Sequence, residues 1–93
     1  MANVKKVTAS ADASLAGFKN IYKVVLVAGA AAAATVIIFD GATQAAGIDI
    51  GKIAALTGDT KELCFDDDDQ GHILDEGLSL TITGAGAVVY VYY

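Results

Sequence analysis

The chain contains no arginine, no tryptophan and no proline, and it has a single histidine and a single cysteine. Each gap removes a class of function. Nucleic-acid binding rests on clustered Lys and Arg set against phosphate. Here arginine is missing and the lysines are scattered, apart from Lys5 and Lys6, in a chain of net charge -5. No nucleic-acid partner is expected. One cysteine makes no internal disulfide. Cys64 reads as a small buried hydrophobe on a strand, in keeping with a reducing cytoplasm during folding. A reactive thiol would need a neighbour that lowers its pKa, and the one candidate, His72, lies in a loop across an acidic run. The same loop would have to fold back on the strand to make a Cys64–His72 dyad, because a base must reach its nucleophile. Glycosidase chemistry needs two carboxylates facing each other across a cleft, and the acids here crowd onto one loop. Neither G-x-G-x-x-G nor G-x-x-x-x-G-K-[ST] occurs. No enzyme activity and no cofactor are expected, and the inventory points to a module that binds or assembles.

What is present is strand-forming sequence. Residues Lys23 to Asp40 (KVVLVAGAAAAATVIIFD) and Gly77 to Tyr93 (GLSLTITGAGAVVYVYY) each pair two β-branched runs around small residues. Ninety-three residues make one domain. Yet 55% of them are hydrophobic, against roughly 45–50% in ordinary soluble domains. A domain this small has too much surface for its volume to hide that excess within itself. The surplus is expected to face partner subunits or lipid.

Lipid fits less well. Val24 to Phe39 is an uncharged run of sixteen residues, nearly half of them Ala and Gly, bounded by Lys23 and Asp40. A spanning helix needs about twenty residues. A signal peptide fails because apolar Val-Ile-Ile-Phe follows the small residues where cleavage would fall. No membrane contact is expected, and a single-pass membrane protein stands as a rival reading.

Along the chain, Val4 to Ala9 reads as a short strand, with Lys5 and Lys6 suited to a sheet edge. Ala11 to Lys19 has weak helical or loop character. Residues 1–20 are thus an N-terminal arm or edge strand, and 21–93 the β-sandwich domain. In Ile21 to Ala28, Val24 and Leu26 face one side and Val25 and Val27 the other. In Thr35 to Phe39, Ile37 and Phe39 oppose Val36 and Ile38. Strands apolar on both faces are covered on both faces, whereas a two-layer sandwich covers only one from within. The second face is left to a partner chain or to another segment of this one. Ile48 to Leu56 reads as a strand with a bulge at Gly51, a short helix being the alternative. Thr57-Gly58-Asp59 is a turn. In Thr60 to Phe65, Leu63 and Phe65 face inward, opposite Cys64. Leu78, Leu80 and Ile82 share one side of the next strand, with Ser79, Thr81 and Thr83 toward water. Gly84-Ala85-Gly86 reads as a hairpin turn. In the last strand Val88, Tyr90 and Tyr92 share a face, and Val89, Val91 and Tyr93 the other. The tyrosines either cap the sandwich with wet hydroxyls or anchor an interface. With no polar tail behind it, this strand is expected to be docked. Six to eight short antiparallel strands predict an all-β sandwich of Greek-key or jelly-roll type.

Asp66 to Gly77 (DDDDQGHILDEG) invites comparison with a calcium loop. Asp66, Asp68 and Gln70 fall at the first, third and fifth places and Gly71 at the sixth, but the twelfth is Gly77, with Glu76 one residue early. The bidentate carboxylate is lost, and strand-like flanks replace helices. A solvated acidic loop is the expected reading; a weak Ca²⁺ or Mg²⁺ site at Asp66, Asp68 and Gln70, or a docking loop for a basic partner, are the alternatives.

Phe39-Asp40-Gly41, then Gly77-Leu78, Thr81-Ile82-Thr83-Gly84 and the run Val88 to Tyr93, carry a resemblance. Over Ile21 to Tyr93 the order of strands and turns resembles a class of small β-sandwich structural proteins of tailed bacteriophages. The four-aspartate loop departs from that pattern. The resemblance implies a virion protein assembled in the host cytoplasm: a capsid decoration (cement) protein, head fibre or tail component, often trimeric, docked on a major capsid or tail lattice. The contacts expected are Val4 and Val7 in the arm, Val25, Val27, Val36 and Ile38 on surplus apolar faces, and Tyr90 and Tyr92. A ligand-binding or adhesin sandwich is the other alternative.

Overall fold

The computed structural model describes residues 3–16, 19–65, 72–74 and 76–93. Among them there is no helix, and ten strands are formed: β1 (Val4–Val7), β2 (Ala11–Ala16), β3 (Lys19–Ile21), β4 (Lys23–Val27), β5 (Ala34–Asp40), β6 (Ile48–Ala55), β7 (Thr60–Cys64), β8 (His72–Leu74), β9 (Gly77–Thr83) and β10 (Val88–Tyr92). Eight build two antiparallel four-stranded sheets, β1-β10-β4-β7 and β2-β9-β5-β6. We call these the first and second sheets. β3 and β8 form a separate two-stranded ribbon. With that ribbon set aside, the order is that of a jelly roll.

The connections explain the order. β1 to β2, β4 to β5, β6 to β7 and β9 to β10 each leave one sheet and enter the other at the matching position. The two strand-turn-strand blocks are therefore arches between layers. Gly84-Ala85-Gly86 does not close a hairpin; β9 pairs with β2 and β5, and β10 with β1 and β4. The arches β4–β5 and β9–β10 nest against each other. A Cβ on Gly29 would meet the Ala85 carbonyl oxygen at 2.5 Å, and one on Gly84 the Ala33 carbonyl oxygen at 2.6 Å. Gly84 also sits at φ +120°, where side chains are strained. Small residues are required because two backbones cross at van der Waals distance.

The core between the sheets is graded. At the arch end it is Ala28, Ala34, Ala55 and Ala87, all buried. Further in come Val24, Leu26, Val36, Ile38, Leu80, Val89 and Val91, each at 0% exposure. The far end is closed by Leu78 and by Ile21 and Leu74 of the ribbon. The buried side chains thus grow from alanine at the arch end to Leu and Ile at the other. Each fully buried Val, Leu or Ile contributes about 1.5–3 kcal/mol over its exposed state.

Several expectations change. Ala11–Ala16 is strand β2, paired with β9 across an irregular register, and not helix or loop; pairing to a neighbour overrode weak local propensity. Together with β1 it makes the N-terminal segment an edge of each sheet. His72 opens strand β8 instead of lying in a loop. Ser79 is buried, not wet. Cys64 is exposed, not buried, because β7 is an edge strand and Cys64 points off its outer side. The strand reading of Ile48 to Leu56 holds: the register slips between Ile38 and Phe39, leaving Ile50 as the extra residue beside Gly51. A Cβ on Gly51 would lie 2.5 Å from Leu63 Cδ2, so the bulge glycine lets the β7 side chain reach the core.

Candidate interaction surface

The register of the first sheet fixes which side chains share its outer face. Val89, Val91, Val24 and Leu26 point inward, so their sequence neighbours point out. Three cross-strand rows result. The first is Val4, Tyr92, Lys23 and Cys64; the second Lys6, Tyr90, Val25 and Glu62; the third Val88, Val27 and Thr60. The middle of this face is apolar and aromatic, and its five central residues (Val25, Val27, Val88, Tyr90 and Tyr92) are half-buried. Val4, 51% exposed, stands at one edge. Lys23 Nζ lies 3.7 Å from Glu62 Oε2 and 4.5 Å from the centre of the Tyr92 ring. Both contacts are partly wet, so each adds about 1 kcal/mol at most. They hold Lys23 flat along the face.

The outer face of the second sheet is built otherwise. The segment between β5 and β6, residues 41–47, folds back over it. The Ser79 hydroxyl donates to the Gly41 carbonyl at 2.8 Å, and the Gly41 N–H donates to the Gly77 carbonyl at 2.9 Å. The Thr81 hydroxyl donates to Gln44 Oε1 at 2.6 Å. Gln44 in turn donates from its backbone N–H (2.7 Å) and its side-chain amide (3.1 Å) to Asp12 Oδ1 on β2. The loop closes on itself, since the Gly47 N–H donates to the Thr43 carbonyl at 3.0 Å. It presses so near Phe39 that a Cβ on Gly47 would sit 2.7 Å from the Phe39 Cβ.

Of the residues expected to make contacts, Val25, Val27, Tyr90 and Tyr92 meet on the outer face of the first sheet, and Val4 borders them. Three do not. Val36 and Ile38 are fully buried between the sheets, and Val7 is 8% exposed at the core margin. Both sides of β5 are apolar, so alternation alone left its inner side undetermined; pairing with β6 and β9 decides it. The outward residues of β5 are Thr35, Ile37 and Phe39, and the second face is sheltered in part by this chain's own loop. Lys6, Lys23, Glu62 and Val88 belong to the first face and were not singled out from sequence. Strand parity was visible for each of them, but their common row follows only from register.

Asp66, Asp68 and Gln70 lie outside the described residues. Among the described residues no group of three or more His, Cys, Asp and Glu is placed to hold a metal ion. An open depression of about 210 Å³ at the other side of the molecule is lined by Asp40, Ala46, Ile48 and Glu76. No helix among the described residues is long and apolar enough to cross a membrane, and Val24 to Phe39 forms β4, an arch and β5. No protein-family model, curated protein or solved structure matches the chain.

Proposed function

We propose that this chain is a non-enzymatic structural protein of a virus particle, a capsid decoration or cement protein that associates with its own kind and docks on a shell or tail lattice. The observation that carries the reading is the unequal treatment of the two outer faces. One is sheltered in part by residues 41–47 of the same chain. The other presents half-buried Val25, Val27, Val88, Tyr90 and Tyr92, the tyrosines being of a residue type enriched at contact centres. Two further points favour a virion role: jelly rolls are a common architecture of viral capsid domains, and the order of strands and turns over Ile21 to Tyr93 resembles that of small phage structural proteins. Fold alone does not specify function, so the weight rests on the surface.

The mechanism is additive. Each copy contributes a modest apolar contact at about 25 cal/mol per Å². A lattice that presents the site many times turns such contacts into avidity. Sedimentation of the purified chain, alone and mixed with intact tailed-phage heads, tests the reading. Self-association together with co-sedimentation is expected. A chain that stays monomeric at high concentration and leaves particles untouched sinks it.

A further inference from the structure

The charges on the outer face of the first sheet are arranged so that the face complements itself. In the middle row Lys6 stands at the β1 edge and Glu62 at the β7 edge, with Tyr90 and Val25 between them. Consider a two-fold axis lying in the interface, parallel to the strands and midway between β10 and β4. It reverses the order of strands and keeps every row opposite itself. Lys6 then faces the partner's Glu62, and Glu62 faces the partner's Lys6. Tyr90 faces the partner's Val25, and Val88 the partner's Val27. In the first row Lys23, already over its own Tyr92, faces the partner's Tyr92. No like charges stand directly opposite one another; the two copies of Lys23 lie diagonally across the axis, each beside its own Glu62. A two-fold axis running across the strands through the middle row would instead set Lys6 over Lys6 and Glu62 over Glu62.

We propose that a second copy of this chain is the occupant of this face, bound as a two-fold pair through Lys6–Glu62 ion pairs around the tyrosine and valine centre. The proposal rests on the assembly reading above and narrows it: a self-complementary patch gives an isologous contact, which closes at two copies. The pair is weak. Four strands about 4.8 Å apart and five residues long present roughly 19 by 17 Å, well below the about 1,200 Å² total of standard interfaces. A weak, reversible pair is suited to a protein whose retention comes from many lattice contacts.

Sedimentation of the full chain over a wide concentration range, with charge variants, tests the pairing. The wild type is expected to run between monomer and dimer, and added salt to shift it toward monomer. Lys6→Glu and Glu62→Lys each place like charges together twice and are expected to weaken association by about tenfold or more. Mixed in equal amounts, the two variants restore both ion pairs, and the dimer returns as a heterodimer. That recovery also shows that each variant is folded. A trimer overturns the two-fold pairing and leaves the assembly reading standing, as does a strictly monomeric chain that still binds particles. A dimer indifferent to both substitutions, or a mixture that fails to recover, overturns the pairing. Absence of both self-association and particle binding overturns the assembly reading itself.

Discussion

The two outer faces of this sandwich solve one problem in different ways. Both start from strands that are apolar on each side. On the second sheet the chain shelters part of its surplus: residues 41–47 lie over Phe39 and Ser79, pinned by Ser79, Thr81 and Asp12, while Ile48 on β6 stays 71% exposed. On the first sheet Val25, Val27, Val88, Tyr90 and Tyr92 are half-buried with no segment of the described chain laid over them, within a frame of Lys6, Lys23 and Glu62. The lesson is that a doubly apolar strand does not by itself call for a partner. A seven-residue loop that supplies backbone acceptors and glycines does the same work on one side, and only the uncovered side argues for association.

That contrast can be broken from the covered side first. Gly47→Val puts side-chain atoms where Phe39 already is, so the loop has to lift. A loss of about 3 kcal/mol in unfolding free energy by urea titration is expected, since forced overpacking typically costs this much. Ser79→Ala removes the buried donor to the Gly41 carbonyl and should cost about 1.5 kcal/mol, the penalty for an unpaired buried acceptor. If either change proves neutral, the loop is not a cover. The exposed side behaves in the opposite sense. Val25→Thr with Val27→Thr keeps shape and strand preference and should change dilute-protein stability by less than about 1 kcal/mol, while weakening association in sedimentation. A large stability loss there would mean that these valines are already packed within one copy. The smallest effect is expected for Asp12→Ala, which frees Gln44 at an exposed site. A cost of about 0.5 kcal/mol, with faster amide exchange confined to residues 41–47, would mark Asp12 as a tether of the loop.

Much of the strand content was legible. The blocks VVLV, TVIIF, LSLTIT and VVYVY are all strands, because β-branched residues suit a pleated surface. The bulge near Gly51 was also readable, since glycine inside a strand pattern marks close approach. The partners of these strands were not. Hairpins and layer-crossing arches both need small residues between two strands, and Gly84-Ala85-Gly86 fits either. The outward faces were half legible for the same reason. Val25 and Val27 point outward as expected and Val36 and Ile38 do not, because both pairs alternate with equally apolar neighbours. Ser79 is buried by a loop distant in sequence, and Cys64 is exposed by its place at a sheet edge. Neither environment leaves a local trace.

The order of residues along the chain determined that it folds as strands, where most of them run, and that glycine or alanine stands wherever backbones cross. The tertiary structure alone decided which side of the doubly apolar strands is inside, which face the 41–47 loop shelters and that Lys6 and Glu62 end one row. Alternation is a local property with two equivalent phases. The choice between the phases, and every neighbour across a sheet, is set by pairing between segments far apart in the chain.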